Sequence, residues 1–260
     1  MKPKVDVLTR VDVFDGWYAK RDDKACFISA DMPSGSKVRQ YLAMAKDCPK
    51  GTPMVVGCSA SSAQQVYVAD AAKRCNTRGI VFVPARAKRT RSTQWAIDMG
   101  AEVHEVRPGY PSVYRSRAKE FARGLGGCVR WNPKLAVLDT AVQTNNLPSD
   151  IRRVIVPTGS GLVAAGVLVG LAGSDVKVIA VAVSSLASKE KIIETALKYV
   201  KEVPRLEFVK LRIPYEKPML DIRLPDGDIL DPFYAAKAMP FVKDGDCLWV
   251  TGCRGEWKRY

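Results

Sequence analysis

Histidine is almost missing from this chain: His104 is the only one in 260 residues. The seven cysteines, Cys26, Cys48, Cys58, Cys75, Cys128, Cys247 and Cys253, are scattered, odd in number and never spaced C-x-x-C. A zinc site therefore has no ligand set. The pattern reads as reduced, mostly buried thiols of a cytosolic protein, with no base near any of them in sequence to make one a nucleophile. Long apolar runs are also lacking. The longest, Leu162 to Ala172, is interrupted by glycine and is far shorter than the roughly 18–20 residues of a membrane span. Met1-Lys2-Pro3-Lys4 leads into no apolar signal-peptide core. Low-complexity linkers and internal repeats are absent too.

Acidic residues are in the minority, 27 against 41 Lys and Arg, which leaves a net charge of +14. That excess suits an anionic partner, nucleic acid first among them. Apolar residues make up 47% and charged ones 26%, the balance of a globular protein. The length suffices for one large domain or two small ones.

Apolar strands alternate with helices of about ten residues. Residues 5–28 read as short strands, Val5–Leu8, Val11–Phe14 and Cys26–Ile28. In Ser34-Gly35-Ser36-Lys37-Val38-Arg39-Gln40-Tyr41-Leu42 a helix begins, with Val38, Tyr41, Leu42 and Ala45 on one face, Ser34 placed to cap it and an end near Lys50-Gly51. Met54–Val56, Ile80–Val83 and Glu102–Val106 are strands; Ala63–Arg74, Thr93–Met99 and Tyr114–Leu125 are helices, the first packing Val66, Ala69, Ala72 and Lys73. After Pro148 come strand Val154–Val156, helix Leu162–Leu171, strand Lys177–Val183, helix Lys189–Val200, strand Phe208–Ile213, a helix from Tyr234 and strand Cys247–Val250. Alternation of this kind predicts β-α-β units: an α/β protein of two lobes, with parallel sheets and helices on both faces. The expected division is 1–52 with 127–260 as a large domain and 53–126 as a small one.

Three stretches can carry chemistry. Lys37 sits in the first turn of its helix, where a desolvated amine is a candidate nucleophile. Gly159-Ser160-Gly161 joins an apolar strand to an apolar helix, and glycine lets backbone N–H groups approach an anion at a helix start. No Gly-Lys-Ser/Thr follows, so this is no nucleotide-hydrolysing loop. Ser59-Ala60-Ser61-Ser62 also links a strand to a helix and offers hydroxyls and amides for a carboxylate, or ordinary capping.

Taken in order, five segments resemble the pyridoxal-phosphate enzymes related to 1-aminocyclopropane-1-carboxylate deaminase and D-cysteine desulfhydrase. Lys37 in Gly-Ser-Lys-Val-Arg-Gln-Tyr-Leu is similar to their Gly-Asn-Lys-x-Arg-Lys-Leu. Gly57 to Lys73 resembles their Gly-x-x-x-Ser-Asn-His…Ala-Ala, and Gly159-Ser160-Gly161…Ala165-Gly166 their phosphate loop. Leu230-Asp231-Pro232-Phe233-Tyr234-Ala235-Ala236-Lys237-Ala238-Met239 is close to Leu-Asp-Pro-Val-Tyr-x-Gly-Lys-Ala-Met. Trp249-Val250-Thr251-Gly252 resembles the closing His-Thr-Gly-Gly strand.

This resemblance implies fold type II, the tryptophan synthase β-like fold, with pyridoxal 5'-phosphate bound to Lys37 as an internal aldimine. It implies that Gly159, Ser160 and Gly161 bind the phosphate and that Thr251 meets the pyridine nitrogen. Ser62 would flank the ring, Ser59, Ser61 and Ser62 would hold the carboxylate of a small amino acid, and Tyr234 would serve as an acid/base group. The chain departs from the pattern at Ser62 (asparagine in the family), Ala63 (histidine), Leu162 and Val163, Val250 and Cys253. These departures bear on the activity more than on the cofactor. Family members are commonly dimers.

Arg86, Lys88, Arg89 and Arg91, with Arg115 and Arg117, form a basic set near Trp95, Tyr110, Tyr114 and Trp131 that could track a phosphate backbone and stack bases, or be a solvated face. Three expectations follow: an enzyme that joins a small amino acid to a base of DNA, as in bacteriophage DNA hypermodification; a small-molecule lyase working by β-elimination or deamination; or a basic nucleic-acid-binding protein on an enzyme scaffold. A cytoplasmic setting, the host's if the chain is phage-encoded, and no membrane partner are expected throughout.

Overall fold

The computed structural model describes residues 8–25, 32–46, 48–126, 128 and 132–253. The strand expected at Cys26–Ile28, and most of that at Val5–Leu8, lie outside them. The described residues form two compact units. One takes the chain up to Ala25 and again from Pro133 to Cys253; the other takes the chain from Met32 to Asn132.

The first unit opens with a hairpin of β1 (Val11–Phe14) and β2 (Trp17–Lys20), paired antiparallel. Asp15-Gly16 turns it, and Gly16 takes a φ of 77°, in the left-handed region that glycine enters without strain.

The second unit then runs β3 (Ser34–Gly35), α1 (Ser36–Lys46), β4 (Met54–Gly57), α2 (Gln64–Arg74), β5 (Gly79–Pro84), α3 (Arg91–Asp98), β6 (Glu102–Val106) and α4 (Pro111–Gly124). Strands β4, β5 and β6 pair in that order, all parallel. Tyr114, Ala118 and Ala122 recur every fourth residue of α4 and so share the face that packs on Val55, Ile80 and Phe82. Helix α2 lies against β4 and β5, and α1 and α3 pack on it.

The chain returns to the first unit as α5 (Pro133–Val142), β7 (Arg153–Thr158), α6 (Leu162–Gly170), β8 (Lys177–Ala182), α7 (Lys189–Ala196), β9 (Leu206–Lys210), α8 (Ala235–Ala238), β10 (Asp246–Trp249) and β11 (Gly252–Cys253). Its six-stranded sheet has the order β1-β2-β10-β7-β8-β9, and every pair except β1–β2 is parallel. Alternate residues face opposite ways. Val154, Val156, Val178 and Ala180 meet Ala165 and Leu168 of α6 and Ile192 of α7. Ile155, Ile179, Val181 and Leu248 meet Ala235 and Ala238 of α8 together with Leu224 and Leu230. Both faces are covered, so the strands read as continuous apolar runs. Each large aliphatic side chain buried there contributes about 1.5–3 kcal/mol.

Several expectations need correction. Ser34 lies in β3, not at the position next to the helix, which starts at Ser36 and stops at Lys46 rather than near Lys50. Lys73, expected on the packed face of α2, is exposed, because α2 buries Val66 to Ala72 and turns its last residues to water. Helix α1 belongs with the second unit, where it packs on α2, and so falls on the other side of the expected boundary at residue 52. Strand β2 and helix α5 had no counterpart in the sequence reading. Helix α5 is held by close approach to α6: a Cβ on Gly166 would lie 2.5 Å from Thr140 Cβ and 2.8 Å from the Val137 carbonyl.

Candidate active site

In the first unit, Gly159-Ser160-Gly161 connects β7 to α6. Gly161 has a φ of 93° and offers α6 no side-chain cap. Added Cβ atoms would lie 2.9 Å from Ile192 Cγ1 at Gly161 and 2.7 Å from the Tyr234 hydroxyl oxygen at Gly159. Ser184 Oγ donates to the Gly159 carbonyl at 2.8 Å. The N–H groups of Gly159, Ser160 and Gly161 find no acceptor among the described residues. Three unfilled amides at the positive end of an apolar nine-residue helix fit a phosphate group.

Thr251 stands at the same end of the sheet. Strands β10 and β7 are parallel neighbours with Leu248 opposite Ile155, so Thr251 falls level with Thr158. Tyr234 reaches this end from the segment before α8. Asp231 Oδ1 accepts from the N–H groups of Phe233 and Tyr234 at 2.9 and 3.0 Å, fixing the turn that presents the ring. Tyr215 meets Tyr234 edge-on, with ring centroids 6.0 Å apart. Lys237, 1% exposed, donates its amine to the carbonyls of Pro214 and Tyr215 at 2.8 and 3.0 Å. The fold thus brings Gly159, Ser160, Gly161, Tyr234 and Thr251 together at the carboxyl end of parallel strands, where open α/β sheets take ligands. Lys237 and Ser184 were not singled out from sequence. Lys237 stood within a quoted motif, and its burial was the missing clue.

In the second unit, Lys37 is the second residue of α1 and is half-buried. The loop after β4 is organised by its carbonyls. Gln65 Nε2 donates to Ser59 O at 3.3 Å and to Ala60 O at 2.6 Å, and Thr90 Oγ1 also donates to Ala60 O. Ser62 N donates to Ser59 O at 2.9 Å, and Ser62 Oγ accepts from Gln64 N at 3.3 Å. With its carbonyls drawn inward, the loop leaves the N–H groups of Ser59, Ala60 and Ser61 without an acceptor among the described residues. Ser59 and Ser61 are exposed, and Ser62 is half-buried. The arrangement fits a carboxylate. Gln65 is wholly buried and holds the loop; a polar residue inside an apolar helix face was the sequence signal for it.

Cys58 lies under this loop. Burial pushes its thiol up to about 12, while the Ser62 hydroxyl and the charges of Lys37 and Arg115 pull the other way. It is a neutral, inert thiol at ordinary pH. Arg115 arrives because α4 rides on the end of β4: a Cβ on Gly57 would lie 2.6 Å from the Tyr114 carbonyl and 2.9 Å from Arg115 Cα. Only glycine at 57 permits that approach.

The basic set divides. Arg86, Lys88, Arg89, Arg115 and Arg117 are exposed. Arg89 donates to Glu105 at 2.9 Å, Arg117 to Glu120 at 3.0 Å, and the Arg91 guanidinium lies 4.3 Å from the Trp95 ring centroid. The expected base-stacking aromatics do not serve: Trp95 and Tyr114 are buried in the second unit, their rings spent on packing, whereas Tyr110 is 82% exposed. Trp131 lies outside the described residues. Among the described residues no group of histidine, cysteine and carboxylate side chains could hold a metal ion, and no helix is long and apolar enough to cross a membrane.

No family model and no curated protein matches the sequence. Solved structures do. An ACC deaminase homologue superposes with a TM-score of 0.70 at 18% identity, covering 94% of this chain and 86% of that one. The processed form of threonine deaminase isoform 2 from Solanum lycopersicum gives 0.66 at 16%, covering 92% and 74%. A pyridoxal 5'-phosphate-dependent aspartate racemase gives 0.62 at 16%, covering 92% and 84%. The chain has the fold type II architecture of pyridoxal-phosphate enzymes. At these identities the likeness is one of fold.

Proposed function

We propose that this fold type II chain is a pyridoxal 5'-phosphate-dependent lyase acting on a small amino acid. The observation that carries this reading is the Gly159–Gly161 turn, with three unfilled amides at the start of α6 and Thr251 level with it on the neighbouring strand. When bound, the cofactor supplies an electron sink for negative charge at the substrate α-carbon. Gly159, Ser160 and Gly161 would hold its phosphate, and the Thr251 hydroxyl would serve its ring nitrogen. Lys37 would supply the amine that holds it and would serve as the base at the substrate α-carbon. Ser59, Ser61 and Ser62 orient the substrate carboxylate, and Ser62 flanks the ring. Tyr234 delivers or removes a proton on the side-chain side.

The test is borohydride reduction of the protein purified with the cofactor, followed by intact mass and peptide mapping. A single pyridoxyl group on Lys37, absent from Lys37→Ala, is expected. A tag on a different lysine, or none, ends the reading. Ammonia release from free amino acids then reports the lyase activity.

A second reading, in which the amino acid is joined to a base of DNA, draws on the charge. Residues 32–126 hold 16 Lys and Arg against 6 Asp and Glu, and Arg86 and Lys88 are exposed. It requires salt-sensitive DNA binding, weakened by Arg86→Glu with Lys88→Glu, and heavier nucleosides after reaction. A homodimer, checked by sedimentation, belongs to either reading.

A further inference from the structure

The loop after β4 carries no acidic residue, yet two cations bear on it. Lys37 and Arg115 both place positive charge at the Cys58 sulfur beneath the loop, and the backbone of Arg115 is pinned against Gly57, the last residue before Cys58. The carboxylates among the described residues of this unit are engaged elsewhere. Asp70, Glu102, Glu105 and Glu120 pair with Arg74, Arg78, Arg89 and Arg117, and Asp98 accepts from Gln94. Arg115 has no carboxylate partner among the described residues. One anion, the α-carboxylate of a substrate, is already provided for by the amides of Ser59, Ala60 and Ser61. Arg115, anchored by its backbone at Gly57 and acting on the Cys58 sulfur under the same loop, is a surplus charge, and its planar fork matches a carboxylate or phosphate with two parallel hydrogen bonds.

We propose that Arg115 makes this site selective for an amino acid whose side chain carries a second anionic group, a carboxylate or a phosphate-type oxyanion. This deepens the lyase reading and rests on it: the α-carboxylate occupies the loop amides, and the side-chain anion meets Arg115. Neutral amino acids leave that guanidinium in water and gain nothing from it.

Three probes that lack a leaving group separate binding from turnover: L-2-amino-3-phosphonopropionate, L-aspartate and L-alanine, each titrated calorimetrically into the cofactor-loaded protein. One of the two anionic probes should bind about tenfold to a hundredfold more tightly than L-alanine, the range set by one charge-assisted pair. Tighter binding of the phosphonate assigns the oxyanion as phosphate-type; tighter binding of aspartate assigns it as carboxylate. The preference should vanish in Arg115→Gln and persist in part in Arg115→Lys, while L-alanine binds all three proteins alike, which also shows that the variants fold. Equal binding of all three probes, or a preference that survives Arg115→Gln, overturns the assignment. The borohydride tag is read on the same samples: a tagged Lys37 with no anionic preference sinks only the role of Arg115, and an untagged Lys37 sinks both readings.

Discussion

The Tyr234 hydroxyl occupies the space that a side chain at position 159 would need, since a Cβ on Gly159 would lie 2.7 Å from its oxygen. Tyrosine and glycine are thus fitted to each other at the Gly159–Gly161 turn. Gly159→Ala should displace the Tyr234 ring and weaken cofactor retention at least tenfold, with a stability loss of about 1–2 kcal/mol because the obstruction is the tip of one side chain. Adding Tyr234→Phe to that variant should recover part of the retention, measured by fluorescence titration of the cofactor. No recovery would mean that the two residues are not coupled.

Arg21 should be among the least replaceable residues of the first unit. It is 1% exposed and donates to Asp12 at 2.7 Å, to both oxygens of Asp23 at 2.9 and 2.8 Å, and to Asp226 at 3.1 Å, with Asp228 a fourth partner. It ties residues 226–228, just upstream of the Tyr234 segment, to the end of β2. Arg21→Gln leaves several carboxylates without their cation and should cost about 3–5 kcal/mol by urea denaturation. A loss below about 1 kcal/mol would show the cluster to be solvated, like a surface pair.

Acid should loosen the same region. Burial pushes Asp228 up, but its bonds from Arg21 and Lys24 outweigh that and hold the carboxyl below its ordinary value of 3.8. A depressed folded-state pKa gives stability that is present above the unfolded pKa and is lost as pH falls through the folded one. Asp23 opposes it, being raised by burial against the pull of Arg21; its contribution favours the protonated form. The urea midpoint should therefore fall between pH 6 and pH 3, and the fall should be smaller in Asp228→Asn. An identical fall in both proteins would remove Asp228 from the explanation.

Two thiols should resist alkylation. Burial pushes Cys58 and Cys247 up to about 12 each. Iodoacetamide at pH 8 should leave both unmodified in the native protein and modify them after unfolding in urea, as read by peptide mass. The half-buried Cys48 and Cys253 should react sooner. Rapid native labelling of Cys58 would contradict the closed loop above it.

Strand positions were legible in the buried apolar runs and also in two half-exposed strands that alternate apolar with polar residues. Glu102–Val106 and Val11–Phe14 agree with the expected bounds, and the apolar runs at Met54, Ile80, Val154 and Lys177 are each within a few residues of them. Strand β2 was not, because Trp17–Lys20 contains a lysine that the fold buries; Lys20 donates to the Thr9 carbonyl at 2.7 Å. Helix α5 escaped because its partner contact is made through glycines on α6, which leave no apolar periodicity to count. Of the site, the residue types in the turns and Arg115 could be named beforehand, but the burial of Lys237 and the approach of Arg115 to Gly57 could not, since each depends on a contact with a distant stretch of chain.

By itself the sequence determined that this is an alternating α/β protein, that Gly159-Ser160-Gly161 and Ser59–Ser62 each join a strand to a helix, and that Lys37 opens one. These follow from local periodicity and from the conformational freedom of glycine, which need no tertiary partner. Only the tertiary structure decided that Thr251 and Tyr234 stand beside the glycine turn, that α1 packs with the second unit, that Trp95 and Tyr114 are core residues, and that Arg115 leans on the end of β4. Those depend on strand order and helix packing, where contacts join residues tens to hundreds of positions apart and burial, not residue type, sets what a side chain can do.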